Sequence, residues 1–180
     1  PEIDNSGSIH AVATAMADIS GSTGFLVAKS IGAEALSAYG YGDGVISNTG
    51  DIDALATASQ GYASAWGAAV QSTGVYEGAA TIDNSGAITA RSAVDVGVAT
   101  STGAYVLDMK ADAHVVNHGD IVATARSERG IVDVSVNYAY ATGVKDVSLY
   151  GAASLDNFGN ITAIASSEGA ITGAMGVQVS

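Results

Sequence analysis

Five runs along the chain alternate small apolar residues with mixed, partly polar ones. Each run begins at an isoleucine, with alanine two positions later and alanine or serine four positions later, as in the run Ile52–Ala56. Alternation with a period of two is typical of a β-strand that buries one face. We therefore predict that the five isoleucines form one inward-facing column. They are Ile9, Ile52, Ile88, Ile121 and Ile161.

The same signature precedes every run. An asparagine lies four positions before each isoleucine and a glycine lies two positions before it, which gives the motif Asn-x-Gly-x-Ile. The motifs are 33 to 43 residues apart, 38 on average, and this uneven spacing indicates loops of variable length between them. The asparagines are Asn5, Asn48, Asn84, Asn117 and Asn157, and the glycines are Gly7, Gly50, Gly86, Gly119 and Gly159.

A repeat of this kind predicts an all-β fold, a parallel β-solenoid that forms a single domain over residues 1–180. One unit of two or three short strands cannot cover its own apolar face, whereas stacked units bury that face against one another. The strands of a closed β-sandwich or barrel also alternate apolar and polar residues, but such a fold does not usually repeat one corner motif along the chain. A unit of 38 residues corresponds to about two ordinary coils or to one large coil with loops. Two coils per unit would stack about nine coils into a rod of about 40 to 45 Å.

The corner residues have physical reasons to recur. Asparagine tolerates the left-handed backbone conformation of a sharp corner, and its amide can bond to the same amide one coil away. Such a ladder would satisfy polar groups that are buried at the corner. Glycine two residues later is expected to supply a positive φ. The motif therefore predicts a corner in every coil.

Weaker signals lie between the motifs. Further alternating runs, 94–98 and 132–136, predict additional strands. The segment 31–38 is the one stretch that suggests a turn of helix. A recurring Thr-Gly pair predicts turns at Thr23-Gly24, Thr73-Gly74, Thr102-Gly103 and Thr142-Gly143.

Composition and charge exclude several functions. The chain has 6 basic and 18 acidic residues, so it lacks the basic footprint of a nucleic-acid binder and is not attracted to anionic membranes. It contains no cysteine, which excludes disulfides, thiolate metal sites and cysteine nucleophiles. No run of about 18 apolar residues occurs, which predicts no membrane insertion. The first residue is Pro1 rather than Met, so we expect a mature form or a fragment.

The pattern Asn-x-Gly-x-Ile-x-Ala, with segments such as Ala141-Thr142-Gly143-Val144 and Ala174-Met175-Gly176-Val177, resembles the repeats of bacterial autotransporter passengers and related large surface adhesins. The resemblance covers nearly the whole chain. It implies a right-handed β-helix that is secreted to the bacterial cell surface and serves adhesion, aggregation or display. We accordingly expect a segment of a longer chain or a filament subunit. Its expected partners are further copies, end to end or side by side, and glycans or host and cell surfaces.

Candidate catalytic residues are sparse. Asp51 and Asp53 lie on the same face of one predicted strand, and paired acids hydrolyse glycosides. The rest of a polysaccharide-processing groove is not visible, and the sequence lacks nucleophile-elbow, phosphate-loop and Ser-x-x-Lys signatures. His114 and His118 have a spacing that holds zinc on a helix, but they fall on a strand and a corner. We expect no catalysis, with a carbohydrate-active β-helix enzyme as the alternative.

Acidic residues recur beside the corner motif, where calcium could bridge neighbouring coils. The glycine-rich nonapeptide of calcium-binding solenoids is absent from the sequence. We therefore predict no metal and no cofactor, with calcium as the alternative. The acids are Asp4, Asp83 and Asp156, which precede the asparagine, and Asp51 and Asp120, which follow the glycine.

Four aromatic residues are candidates for surface contact. Tyr62 and Trp66 flank a pair of predicted inward alanines, and Tyr138 and Tyr140 flank a third, so we expect all four rings to point outward. Outward rings stack on sugars or pack against a neighbouring rod, unless loops of the same chain cover them. An ice-binding solenoid is a further alternative, but its threonine array is incomplete. That register is occupied by Thr14, Thr57, Ala93, Arg126 and Ser166.

Overall fold

The alternating runs form strands because every second side chain reaches the interior of a stack of coils. The computed structural model describes residues 1–16, 26–37, 43–73, 78–128, 137–168 and 171–180, and these ranges contain strands and no helix. The strands are β1 (Glu2–Asn5), β2 (Ser8–Ala15), β3 (Leu26–Ser37), β4 (Gly44–Asn48), β5 (Asp51–Ser72), β6 (Ala80–Asn84), β7 (Ala87–Asp108), β8 (Ala113–Asn117), β9 (Asp120–Ser127), β10 (Tyr138–Ser148), β11 (Ala153–Asn157), β12 (Asn160–Ser167) and β13 (Ile171–Val179).

Parallel pairing joins equivalent positions of successive units. The five-stranded sheet β1-β4-β6-β8-β11 aligns Asn5 with Asn48, Asn48 with Asn84, and Asn84 with Asn117. Asn157 completes the row through the pairing of β11 with β8. The predicted all-β parallel solenoid is therefore confirmed.

Each unit makes one large coil, which we call a rung. The five strands of one sheet correspond to five rungs, separated by four steps. At about 4.8 Å per step, the stack rises by about 19 Å from the first rung to the last. The expectation of about nine coils and a rod of about 40 to 45 Å is therefore wrong, because the strands are longer than two coils per unit would allow.

Every rung has three faces. The first face is the sheet just described; the second carries β2, β9, β12 and the first halves of β5 and β7; the third carries β3, β10, β13 and the second halves of β5 and β7. In β5 and β7 the second and third faces meet at Gly61 and Gly97, where φ is 101° and 130°. Glycine adopts these values readily, so both strands turn the corner without a loop. The run 94–98 crosses this corner as part of β7.

The interior has two compartments. The first lies between the first face and the later part of the third face and is filled by isoleucine, valine and alanine, including Ile46, Val70 and Ile82. The second lies between the second face and the start of the third, and apart from Val94 its buried apolar residues are all alanine. Since alanine spans little space, the opposed sheets must lie close together there. The motif isoleucines pack in the first compartment, Ile52, Ile88 and Ile121 fully buried and Ile9 and Ile161 partly so.

The motif asparagines form a continuous side-chain ladder at the corner between the first and second faces. Each Nδ2 donates to the Oδ1 of the next asparagine, at 2.7 Å from Asn5, Asn48 and Asn84 and at 2.8 Å from Asn117. Each Nδ2 also donates to the carbonyl of the glycine two residues later, as from Asn84 to Gly86 at 3.1 Å. The ladder therefore satisfies amides that are buried in all but the last rung.

The corner glycines recur for a different reason from the one we expected. Among the described glycines, positive φ occurs at Gly61 and Gly97 and not in the motif. Instead, a Cβ on Gly50 or Gly86 would overlap the carbonyl oxygen of the glycine one rung earlier. Gly119 and Gly159 show the same contact. Close approach of successive backbones, rather than backbone dihedral freedom, requires glycine at this corner.

A second file of glycines lies in the middle of the third face. A Cβ on any of the first four members would overlap the motif isoleucine of the next rung and come within about 2.6 Å of the next glycine's carbonyl oxygen. The predicted turns at Thr102-Gly103 and Thr142-Gly143 are therefore wrong, since both pairs lie inside strands and mark this bend. The file consists of Gly32, Gly67, Gly103, Gly143 and Gly176.

Other expectations between the motifs have mixed outcomes. The segment suggested as helix is strand from Ile31 to Ser37, as part of β3. Ala38 lies outside the described residues, as do Thr23-Gly24, Gly74 and the run 132–136. The dense β-branched and small residues of β3 pair with β5 and fill the core, which outweighs a short helical pattern.

The ladder predicts unequal costs for its members. Replacing Asn84 with alanine removes the acceptor for Asn48 and the donor for Asn117 in a buried corner, and should lower the free energy of unfolding by about 2 to 5 kcal/mol. Asn157→Ala, at the exposed last rung, is the matched control and should cost less than about 1 kcal/mol. Urea unfolding followed by circular dichroism measures both. Equal losses in the two variants would contradict a ladder that stabilises by satisfying buried amides.

Candidate functional site

The third face has a groove on its outer side where it bends at the glycine file. Gly67 and Ala68 face the interior in succession, because a Cβ on Gly67 would meet the Ile88 side chain and Ala68 packs in the core. The strand therefore bends so that its outer side is concave. Outward side chains on the two sides of the bend converge there. Ala69 alternates outward yet is fully buried by its neighbours. It forms part of the floor of this outer groove.

Aromatic rings and lysines line the outer groove. The ring centroids of Trp66 and Tyr105 are 5.1 Å apart, although the two residues lie on different rungs and on opposite sides of the bend. Lys29 Nζ lies 4.5 Å from the Trp66 ring, and Lys145 Nζ lies 5.6 Å from the Tyr105 ring. Burial raises the pKa of Tyr105. These cation–π contacts hold two of the chain's six basic residues against the groove.

The predicted contact residues divide into two groups. Trp66 and Tyr62 are partly covered: Lys29 lies over the indole, and the Tyr62 hydroxyl is 2.9 Å from Thr100 Oγ1. Tyr138 and Tyr140 stack on each other with centroids 5.8 Å apart, and Tyr140 is 43% exposed. Side chains of adjacent rungs therefore limit access to the first pair. Tyr140 presents the most accessible of the four rings, on the outer side of the third face.

The acidic pair on which the alternative of a carbohydrate-active enzyme rests has two different surroundings. Asp53 Oδ2 lies 3.1 Å from His10 Nδ1 on the rung below, and Asp53 Oδ1 has no hydrogen-bond partner among the described residues. Asp51 is exposed at the start of β5. One acid is thus paired with a histidine and the other faces solvent.

The two histidines at a zinc-like spacing, for which we expected no metal, have separate surroundings. His118 stacks on Phe158 with centroids 4.7 Å apart, across adjacent rungs. His114 lies beside Ser154, with 2.7 Å from Nδ1 to Oγ, and its Nε2 is 3.8 Å from Asp156 Oδ2. The last distance is too long for a hydrogen bond. Aligning Asn117 with Asn157 in the sequence would have placed His114 opposite Ser154.

The acids considered for calcium do not lie in adjacent rungs of one column. Asp4, Asp83 and Asp156 share a column, but Ser47 and Val116 separate them. The column of Asp51 and Asp120 has Ala87 between them, and Asn160 Nδ2 donates to Asp120 Oδ1 at 2.8 Å. Members of each set are therefore about 10 Å apart along the axis. Within the described ranges, no group of three or more histidine and acidic side chains is placed to hold a metal.

The register of an ice-binding array is interrupted in the same way. Thr14 pairs with Thr57, but the next positions of that column are Ala93, Arg126 and Ser166. Two adjacent threonines do not make the flat, regular surface that this alternative requires.

One acidic residue missed by sequence reasoning lies inside the core. Asp146 is fully buried in a column whose other members include Val70, Val106 and Val179. Neither carboxylate oxygen has a hydrogen-bond partner among the described residues. Burial raises the pKa of Asp146 to about 6, and the nearby backbone amide of Ser154 and charge of His114 lower it only in part. The signal was available in the sequence, since this aspartate falls in a valine column.

Comparisons with protein-family models, with curated proteins and with solved structures give no match for this chain. No helix in the described parts of the chain is long and apolar enough to span a bilayer. Functional assignment therefore rests on the geometry above.

The buried Asp146 predicts a pH-dependent stability. Its folded pKa is about 6 and its ordinary value is 3.8, so the folded protein binds a proton more tightly than the unfolded chain. The contribution of this tighter proton binding to the free energy of unfolding is complete below about pH 4 and is lost as pH rises to about 6. The loss should be about 1 to 3 kcal/mol.

Asp146→Asn, which stays neutral, should remove this step and raise stability at pH 7. Asp95→Asn removes one charge at an exposed position and serves as the control for the change in net charge. Unfolding free energies of the three proteins between pH 4 and 7 measure the effect. Parallel pH profiles for the wild type and Asp146→Asn would contradict this assignment.

Proposed function

We propose that this chain is a structural and adhesive rod segment that lies outside a bacterial cell and acts without catalysis. The observation that carries the proposal is the set of asparagine, glycine and isoleucine files that run through all five rungs. Such files serve shape and stiffness, since every rung is held to the next by the same contacts. The resemblance to autotransporter passengers and surface adhesins supports the extracellular location.

Mechanical continuity follows from the pairing. Strands on all three faces are bonded to the next rung, and the asparagine ladder adds a side-chain bond at every step. A lateral force on such a stack must break several parallel bonds at once. The module can therefore hold a surface at a fixed distance from its point of attachment.

The outer side of the third face, which includes the groove, is the surface best suited to contact. Aromatic rings present flat apolar faces to sugar rings, and Tyr140, Tyr138 and Trp66 all lie on the outer side of the third face. The net charge of −12 disfavours polyanions over the molecule as a whole. We therefore propose neutral polysaccharides as the favoured contact class, with glycan-coated cell surfaces as the setting.

Binding and turnover can be measured on the same material. A panel of soluble neutral and acidic polysaccharides, assayed by affinity electrophoresis, should retard the wild-type chain on at least one neutral member. Tyr140→Ala should weaken that binding about two- to thirteenfold, because one aromatic contact contributes about 0.5 to 1.5 kcal/mol. Asp95→Ala, on the second face, is the matched surface control and should bind as the wild type does.

Released reducing ends are assayed in parallel and should stay at the background level. Turnover that Asp51→Ala or Asp53→Ala abolishes would overturn the proposal in favour of a carbohydrate-active enzyme. Absence of binding across the panel, or equal binding by Tyr140→Ala, would remove the outer side of the third face as the contact surface.

A further inference from the structure

Charge is unevenly distributed over the three faces. The outer side of the third face carries Lys29 and Lys145 and one acid, Glu34. Asp108 and Asp146 lie on strands of this face but point inward and are fully buried. Among the described strands, those of the third face therefore repel an approaching anion least. The strands of the first two faces carry eight acids and two arginines: Glu2, Asp4, Asp51, Asp53, Asp83, Asp95, Asp120, Asp156, Arg91 and Arg126.

The lysines of this acidic chain lie over aromatic rings and not beside acids. Lys145 and Lys29 contact the groove rings Tyr105 and Trp66, and Lys110 Nζ lies 5.0 Å from the Tyr150 ring outside the groove. Within the described ranges, no carboxylate oxygen lies within 4 Å of a lysine Nζ. A ring orients a lysine but does not neutralise its charge, so each ammonium can still pair with an anion from outside the chain.

Lys145 has surroundings free of competing acids on an inner rung. Its outward neighbours are Val147 on the same strand, Tyr105 and Leu107 on the preceding rung, and Gln178 on the following rung. None of these side chains carries a negative charge. The third face therefore offers an incoming carboxylate a cation that the neighbouring strands do not already pair.

Strand β10 places this cation and an accessible ring on the two sides of the groove. Lys145 is in the column of Tyr105, and Thr142 is in the column of Trp66, whose side chains converge across the bend. Tyr140, 43% exposed, is the next outward residue before Thr142. Five residues of extended strand span about 17 Å, and the concave bend shortens that distance. A short stretch of a linear ligand can therefore contact Tyr140 and Lys145 together.

The chemistry of the two contacts selects the ligand. An exposed tyrosine ring stacks on the apolar face of a sugar, and an ammonium group forms a charge-assisted hydrogen bond with a carboxylate. A densely charged polyanion is disfavoured, because the net charge of the chain is −12. A mainly neutral glycan that carries isolated carboxylates satisfies both conditions.

We propose that the outer groove is a subsite for a sugar carboxylate. A glycan lies along β10 across the groove, stacks one sugar ring on Tyr140 and pairs the carboxylate of a uronic acid with Lys145 Nζ. The inference rests on the proposed adhesive function and narrows its ligand class to neutral polysaccharides with sparse uronic acids.

Pectins that differ in methyl esterification test the charge dependence on one backbone. Fully esterified pectin is neutral, partly de-esterified pectin carries isolated carboxylates, and polygalacturonate is a dense polyanion. Affinity electrophoresis in a chelating buffer, which prevents cross-linking by divalent cations, should show the tightest binding for the partly de-esterified form. Added sodium chloride should weaken that binding and leave binding of the fully esterified form unchanged, because salt screens the ion pair.

Variants of lysine locate the contact. Lys145→Gln should weaken binding of partly de-esterified pectin about two- to fivefold, which is the range of an exposed ion pair, and should leave binding of the fully esterified form unchanged. Lys145→Arg keeps the charge and should retain most of the affinity. Lys110→Gln is the matched control, since it removes a ring-bound lysine outside the groove and should bind as the wild type does. Circular dichroism checks that each variant is folded.

The fluorescence of Trp66, the single tryptophan of the chain, gives a second readout from inside the groove. It should change on addition of partly de-esterified pectin to the wild type, because the indole contacts the Tyr105 ring under Lys145. The change should be smaller in Lys145→Gln.

Binding that does not depend on esterification, or that is tightest for polygalacturonate, would overturn the inference. So would equal losses in Lys145→Gln and Lys110→Gln, or self-association of the chain that Lys145→Gln abolishes, since the groove would then hold a second copy. Neutral polysaccharides that bind through Tyr140 without any gain from carboxylates would leave the proposed adhesive function standing and remove this subsite alone.

Discussion

The distance between paired parallel strands, about 4.8 Å, is the constraint on which the rest of this molecule depends. At that distance equivalent atoms of successive rungs are in contact, so each position must carry a residue that packs against its own counterpart. Asparagine meets the condition with a donor and an acceptor on one amide, glycine meets it by lacking a Cβ, and isoleucine meets it by stacking in the core. Three kinds of residue thus satisfy the same requirement for close contact between rungs.

Much of the fold could be predicted because this spacing requires the same residue types at equivalent positions of each rung, and they appear in the sequence as a repeat. The Asn-x-Gly-x-Ile motif predicted stacked parallel coils, and the alternating alanines predicted strands that bury one face. The number of coils could not be predicted, because Gly61 and Gly97 carry β5 and β7 around a corner without a loop. A corner that lacks the asparagine motif leaves a weak signal, so one long coil and two short ones look alike in the sequence.

The candidate site was only partly accessible to sequence reasoning. Alternation with alanine identified Tyr62, Trp66, Tyr138 and Tyr140, but it did not identify Tyr105 as the partner of Trp66. That contact depends on a bend at a glycine that resembled a turn signal. Asp146 was missed because charged residues are expected outside, and its burial becomes visible only when the rungs are aligned as columns. Both features depend on which residues of neighbouring rungs are paired, and the alternation within a single strand does not give that pairing.

The long separation between ladder partners has a consequence for how the chain reaches this structure. Ladder bonds join residues 33 to 43 positions apart, so the first contact between two rungs must close a long loop before any neighbouring contact exists. Later rungs close loops of similar size but add to an edge that is already ordered. The costly step is therefore nucleation of the first pair of rungs, and folding then spreads as a zipper towards both ends.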